Sequence, residues 1–432
     1  MHWSLPFLFA SCVLLPTVSA IPVPTQVDLG GDPNGIAYTD SNPNKELWHA
    51  GSKIVPQPQR GSLGALILGP QNVPLELQNA DLLAPPTTDH GSVPNFKWPF
   101  SLSHSKLKQG GWSREQNVGN MPSATDIAGV NMRLEAGAIR ELHWHNVDEW
   151  AYVLEGDLRI STVTPEGQVW IGDVSKGDLW YFPAGYPHSI QAKNSTPDGA
   201  EFLLIFDEGT FSEDGTFLLT DWLAHVPKSV LAKNFGLDND LQAFDHIPAS
   251  ELYIFPGTPP PENINDDMVV PNDTPQPFTF AFSKVVPEKK LGGTVKVVDS
   301  RSFSVANKIA AAEVEIEVGG IRELHWHPTQ PEWTFFISGE ARISLFASQA
   351  NAATYDFYPG DVAYIPPSFG HYIENTGNTT LKFIEVLKSS LFQDISLSQW
   401  LALTPPELVK AHLGFSDDTI AHLSNTKQTL VL

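Results

Sequence analysis

One cysteine, Cys12, serves the whole 432-residue chain. It lies within the first 20 residues, where an apolar run from Leu5 to Leu15 leads into Val18-Ser19-Ala20, the small-residue pattern of a cleavable secretory leader. With that leader removed the mature protein has no thiol, which excludes disulfides, cysteine nucleophiles and thiolate metal sites. Positive charge is also scarce: 26 Lys and Arg face 49 Asp and Glu, a net charge of -23. Phosphate backbones are bound through Lys and Arg, so nucleic acid is not expected as a partner. So acidic a surface repels small anions at neutral pH, and an anionic substrate is expected to be handled under acidic conditions. The leader is too short to cross a bilayer and no other stretch approaches the roughly 20 apolar residues of a span, so no membrane association is expected. A secreted, extracellular protein is the expectation, and the triplets at Asn194, Asn272 and Asn378 fit a glycoprotein.

What is present is a repeat. Residues 21–93 are rich in Pro, Gly, Asn and Asp and read as an extended arm. From Phe96 onward, short runs of β-branched, aromatic and aliphatic residues alternate with turn residues every eight to twelve positions, the pattern of an all-β sandwich or barrel. Around Trp222, Leu223, Val230 and Leu231 the pattern turns helical, closing a first domain over 94–250. The Pro-rich stretch Phe255 to Pro261 then acts as a linker, and the same order restarts near Pro277, giving a second unit over 251–432 that ends in helices from Trp400.

The most telling part of the repeat is Ile-Arg-Glu-Leu-His-Trp-His, which occurs at Ile139–His145 and again at Ile321–His327. Residues i and i+2 of a strand face the same side, so His143 and His145 converge, as do His325 and His327. Glu149 and Glu332 follow closely and can close a third position; His188 and His371, each after a Gly-x5-Pro segment, can supply a fourth from a neighbouring strand. Three imidazoles and one carboxylate form a nitrogen and oxygen set suited to Mn, Fe, Ni or Zn. A single His-x-His pair is weak evidence of a metal site; the same three-part constellation twice is strong.

Gly137 to Gly156 and Gly319 to Gly339 both follow Gly-x5-His-x-His-x(3,4)-Glu-x6-Gly, and Gly177 to His188 follows Gly-x5-Pro-x-Gly-x2-His, with Ser368 replacing the last Gly in the second copy. These resemble the two cupin motifs. Present twice, they resemble the bicupin oxalate decarboxylase family of the secreted, fungal type, over most of the chain from about Pro85. The resemblance implies two tandem double-stranded β-helix (cupin, jelly-roll) domains with short helices after each. It also implies two Mn ions per chain, one held by His143, His145, Glu149 and His188 and one by His325, His327, Glu332 and His371. The implied reaction is conversion of oxalate to formate and carbon dioxide with dioxygen as cocatalyst, and a homo-oligomer is expected.

Oxalate has no labile C–H bond, so its C–C bond must be weakened. Loss of an electron and a proton lets one carboxylate leave as carbon dioxide. Protonation of the remaining one-carbon fragment gives formate, whereas its further oxidation gives a second carbon dioxide and peroxide, so the outcome depends on a placed acid. Phe211 aligns with Phe392 and Trp222 with Trp400, which leaves three extra residues in the first domain around Ser212–Thr216. Glu213 in this insertion is the expected acid on a mobile lid. Arg140 and Arg322 are the candidates for holding substrate carboxylate, although strict strand parity would put Glu141, not Arg140, on the face of His143; a bulge would resolve this. Glu385 stands where the first domain has Leu204 and is a candidate acid or base at the second metal. Trp144 and Trp326 have the opposite parity to their His neighbours and are expected to pack away from the metals. The alternatives are an oxalate oxidase sharing the metal site and a non-enzymatic bicupin storage protein.

Overall fold

The computed structural model describes residues 85–86, 88–237 and 240–432. The expected leader and most of the arm expected over 21–93 lie outside these residues. In the remainder the β-rich runs form two similar halves, each a seven-stranded sheet facing a sheet of six strands. In the first half the larger sheet includes the strands Leu179–Phe182, Glu149–Glu155, Ala200–Phe206 and Ala128–Leu134, and the smaller includes Ile139–Trp144, His188–Ala192 and Asp157–Val163. The second half repeats this with Asp361–Ile365, Glu332–Ser338, Leu381–Leu387 and Ala310–Ile316 against Ile321–Trp326, Gly370–Asn375 and Ala341–Phe346. Gly137 and Gly319 open the repeated motif at φ of 80° and 81°, a left-handed turn conformation that a side chain would strain.

Three apolar cores follow from strand alternation. Phe202, Leu204 and Phe206 point into the first half, while Leu203 and Ile205 point out and meet the second half; Ala151 and Val153 divide in the same way from Trp150 and Tyr152. In the second half Phe383 faces inward while Ile384 and Val386 face the first half. Strands buried on both faces read as continuous apolar runs, which is why Phe-Leu-Leu-Ile-Phe appears at 202–206. The junction is closely fitted. A Cβ on Gly129 would lie 2.3 Å from the Trp333 ring, whose Nε1 donates to Gln116 Oε1 at 2.7 Å.

The halves also exchange edge strands. Lys97–Pro99 pairs with Asp361–Ile365 of the second half, and Thr279–Phe280 pairs with Leu179–Phe182 of the first. Short helices follow each half, Leu219–Ala224 and Lys228–Phe235 in the first, then Leu397–Leu403, Pro406–Leu413 and Asp417–Ala421 in the second. Among the described residues no helix is long and apolar enough to cross a membrane.

Candidate metal centres and an acidic lid

Each half brings its four candidate ligands together between its two sheets. His143, His145, Glu149 and His188 offer ligand atoms within 4.8 Å of one another, as do His325, His327, Glu332 and His371, and all eight side chains are buried. Strand pairing explains the convergence. His188 lies opposite His143, and His371 opposite His325, on adjacent antiparallel strands of the smaller sheets. Glu149 and Glu332 come from the facing larger sheets.

Hydrogen bonds aim these groups. His143 and His188 donate from Nδ1 to the carbonyls of Glu141 and Tyr186, and His325 and His371 to those of Glu323 and Phe369. His327 Nδ1 likewise donates to the Gln393 carbonyl at 2.7 Å. The Nε2 atoms are thereby left as lone-pair donors toward the centre. One oxygen of each carboxylate is anchored, Glu149 Oε1 by Trp180 Nε1 at 2.8 Å and Glu332 Oε1 by Thr334 Oγ1 at 2.6 Å. The other oxygen of Glu149 lies 3.6 Å from His145 Nε2 and 3.5 Å from His188 Nε2, and these three buried atoms have no hydrogen-bond partner. Buried polar atoms left unpaired and aimed at one point are the mark of a cation site, and the donor set fits a hard-to-borderline divalent metal. Without a metal, burial first, then the neighbouring Arg140 and imidazoles, holds His143 and His145 well below the ordinary imidazole range. Burial and Arg322 do the same for His325. Those three rings are therefore held neutral, as ligands must be.

Arg140 reaches the first site through a bulge. The two residues between Arg140 and His143 oppose only one, Ser189, between Ile190 and His188, and the same slip occurs between Arg322 and His325. The extra residue turns Arg140 inward and leaves Leu142 exposed, while Glu141 is also buried and binds the backbone N–H groups of Thr220, Leu252 and Tyr253. Arg140 is fully buried and donates from Nη2 to Glu213 Oε2 at 3.0 Å. Tyr253 donates its hydroxyl to the same oxygen at 2.6 Å, and Ser113 Oγ lies 2.6 Å behind it. Burial and the Glu213 carboxylate push the Tyr253 phenol well above its ordinary range, so it remains a donor. The inserted segment is thus closed, with Glu213–Gly215 forming a single 3-10 turn. Glu213 Oε1 is buried and has no partner. Glu213 also lines a polar cavity of about 390 Å³ that includes Lys106, Arg114 and Glu115.

The second site differs. Arg322 donates from Nε to Glu385 Oε1 at 3.2 Å and from Nη2 to Asp394, which Lys427 also contacts. Burial raises the Glu385 carboxyl above its ordinary range despite Arg322. Asp394 follows Phe392 by two residues as Glu213 follows Phe211, so it is the counterpart of Glu213, at a position no insertion marks. The Phe211 and Phe392 alignment is the signal that would have found it. Trp144 and Trp326 point away from the metal clusters: Trp144 stacks on Phe217 at 5.5 Å, and Trp326 packs edge-on against Trp400 at 5.6 Å.

Comparison with known proteins gives a consistent picture. The cupin family model matches residues 101–242 and 287–421. The chain is 48% identical over 379 residues to oxalate decarboxylase OxdC of Bacillus subtilis, covering 87% of this chain and 97% of that protein. It is 42% identical over 381 residues to a probable oxalate decarboxylase of Arthroderma benhamiae, covering 86% of this chain and 92% of that one. A solved structure of the Bacillus subtilis enzyme, studied for its Mn(II) centres, superposes with a TM-score of 0.83 at 47% identity, covering 88% of this chain and 99% of that chain.

Proposed function

The chain belongs to the cupin family and, within it, to the two-domain oxalate decarboxylases, and from that premise we propose that it converts oxalate to formate and carbon dioxide at the first metal cluster, with Glu213 as the proton carrier. The observation that carries this reading is the buried Glu213–Arg140 pair beside one of two otherwise matching His and Glu clusters. The ion is manganese in both clusters, as the Mn(II) centres of the Bacillus subtilis enzyme suggest, and when bound it supplies a Lewis acid and, with dioxygen as cocatalyst, a one-electron acceptor.

The net reaction, hydrogen oxalate to formate plus carbon dioxide, neither gains nor loses electrons, so the electron and proton withdrawn from oxalate must both come back to the one-carbon fragment. Among the described residues Arg140 is the guanidinium paired with the lid acid, and it holds a substrate carboxylate by charge-assisted hydrogen bonds. Glu213 takes the proton that oxalate releases and returns it to the carbon left after carbon dioxide departs. Arg140 and Tyr253 both engage Oε2, which leaves the buried Oε1 as the oxygen that holds the proton. The closed lid excludes water while the fragment exists, which favours protonation over escape and further oxidation.

At the second site Arg322 is engaged by Glu385 and Asp394, and Lys427 adds a second cation to Asp394, so its acid is fixed rather than mobile. That cluster serves as a structural or electron-storing site. Product analysis on oxalate tests the reading: one formate per oxalate is expected, and peroxide as the main product would make the protein an oxalate oxidase.

A further inference from the structure

The lid that carries Glu213 is held shut by a second carboxylate. Glu115, half-buried near the end of the strand Gly111–Gln116, accepts the Ser212 hydroxyl on Oε1 at 3.1 Å and the Glu213 backbone N–H on Oε2 at 2.9 Å. Asn117 donates from Nδ2 to Glu115 Oε1 at 3.2 Å and to the Phe211 carbonyl at 3.0 Å. Three consecutive lid residues, Phe211 to Glu213, are therefore tied to one strand end.

Strand pairing shows that this clip is specific to the first half. Glu115 lies opposite Val130, and the matching position opposite Ala312 is Val297. The acid that binds the lid is thus present only where the three inserted residues are.

The arrangement is closed but easily opened. Glu115, Glu213 and Asp214 place three carboxylates close together, offset by buried Arg140 and by Lys106, which pairs with exposed Asp214 at 3.1 Å. The ends of the segment are firmly placed: a Cβ on Gly209 would lie 2.1 Å from the Ala124 carbonyl oxygen, and Phe217–Leu218 pairs with Trp144 and His143. Between them, a Cβ on Gly215 would meet only open space. Opening is confined to the few residues between these anchors and breaks mainly the bonds to Glu115, Arg140 and Tyr253.

We propose that Glu115 is a positioning residue that latches the lid, holding the Glu213 carboxyl at the first site long enough for formate to form. The proposal rests on the reading of Glu213 as proton carrier.

Glu115→Gln keeps the size of the side chain but leaves one carbonyl oxygen for two lid donors. Hydrogen exchange of the peptide spanning the lid, measured on full-length metal-loaded protein, is expected to rise by about tenfold, the effect of losing one hydrogen bond to a charged group. The share of oxalate turnovers ending in peroxide should rise with it, while melting temperature and metal content hold. Ser212→Ala, which removes the lid donor to Glu115 together with the Ser212 Oγ cap on the Asp214 N–H and leaves the strand untouched, should move both readouts the same way and serves if Glu115→Gln fails to fold. Unchanged lid exchange and unchanged formate share in these variants, beside a Glu213→Gln protein that has lost formate, would overturn the latch and leave the role of Glu213 standing. Formate production surviving in Glu213→Gln would overturn the underlying reading instead.

Discussion

Replacing Arg140 by Ala separates a catalytic role from a structural one. Arg140 and Glu213 form a buried ion pair at 3.0 Å, with Glu213 only 6% exposed. Deleting one member of such a pair leaves an uncompensated buried charge, at a cost of about 3–5 kcal/mol. Had both groups been fixed in the core, that cost would appear as lost global stability, about 10 °C or more in melting temperature. Here Glu213 sits on a short turn whose Gly215 faces open space, so the carboxylate can reach water by opening the lid. The cost then appears as a shift from closed to open: at about 1.36 kcal/mol per decade, even the lower figure reduces the closed-to-open ratio roughly a hundredfold. Arg140→Ala is therefore expected to keep its melting temperature within a few degrees and both metals, and to lose about two orders of magnitude in formate-producing turnover. Differential scanning calorimetry and formate assay on the same preparation decide it. A large drop in melting temperature with normal formate kinetics would refute the reasoning and make the pair a structural tie.

Three further outcomes follow from the geometry. His145→Ala should reduce metal content from two ions per chain to one, because the two clusters share no ligand; loss of both in elemental analysis would contradict independent sites. Gly129→Ala should destabilise by about 1–3 kcal/mol through overpacking against Trp333, with the first-site chemistry unaltered; an unchanged melting temperature would show that the junction yields freely. In metal-free protein, burial holds His143, His145 and His325 well below the ordinary imidazole range, so the unfolded chain binds more protons than the folded one as pH falls through about 6.5. Stability of the chelated protein should accordingly be greatest above that pH and decline below it; a melting temperature flat between about pH 8 and pH 5 would contradict this.

The fold and the two His and Glu clusters were legible because they rest on local periodicity. Alternation put His143 with His145 and His325 with His327 on one face, and the Gly and Pro spacings located His188 and His371. Arg140 was harder, since its direction depends on a slip against the strand His188–Ala192 that no property of its own strand encodes. The exchanged strands Lys97–Pro99 and Thr279–Phe280 are two or three residues long, too short for any periodic signal. Glu115 and Tyr253 are distant in sequence from everything they serve and ordinary in their local context; only the fold brings them to Glu213. Asp394 was hidden for the opposite reason. It lies at an aligned position with no added residues beside it, so nothing local distinguishes the acid that both halves share.

The central claim is that one carboxyl on a lid beside the first metal cluster decides what oxalate becomes. The direct test is the ratio of formate to peroxide produced by Glu213→Gln with both metal sites loaded, compared with the unsubstituted protein. The account predicts that formate falls to a small fraction while oxidation to peroxide persists or rises at unchanged metal content. A formate yield equal to that of the unsubstituted protein would contradict it.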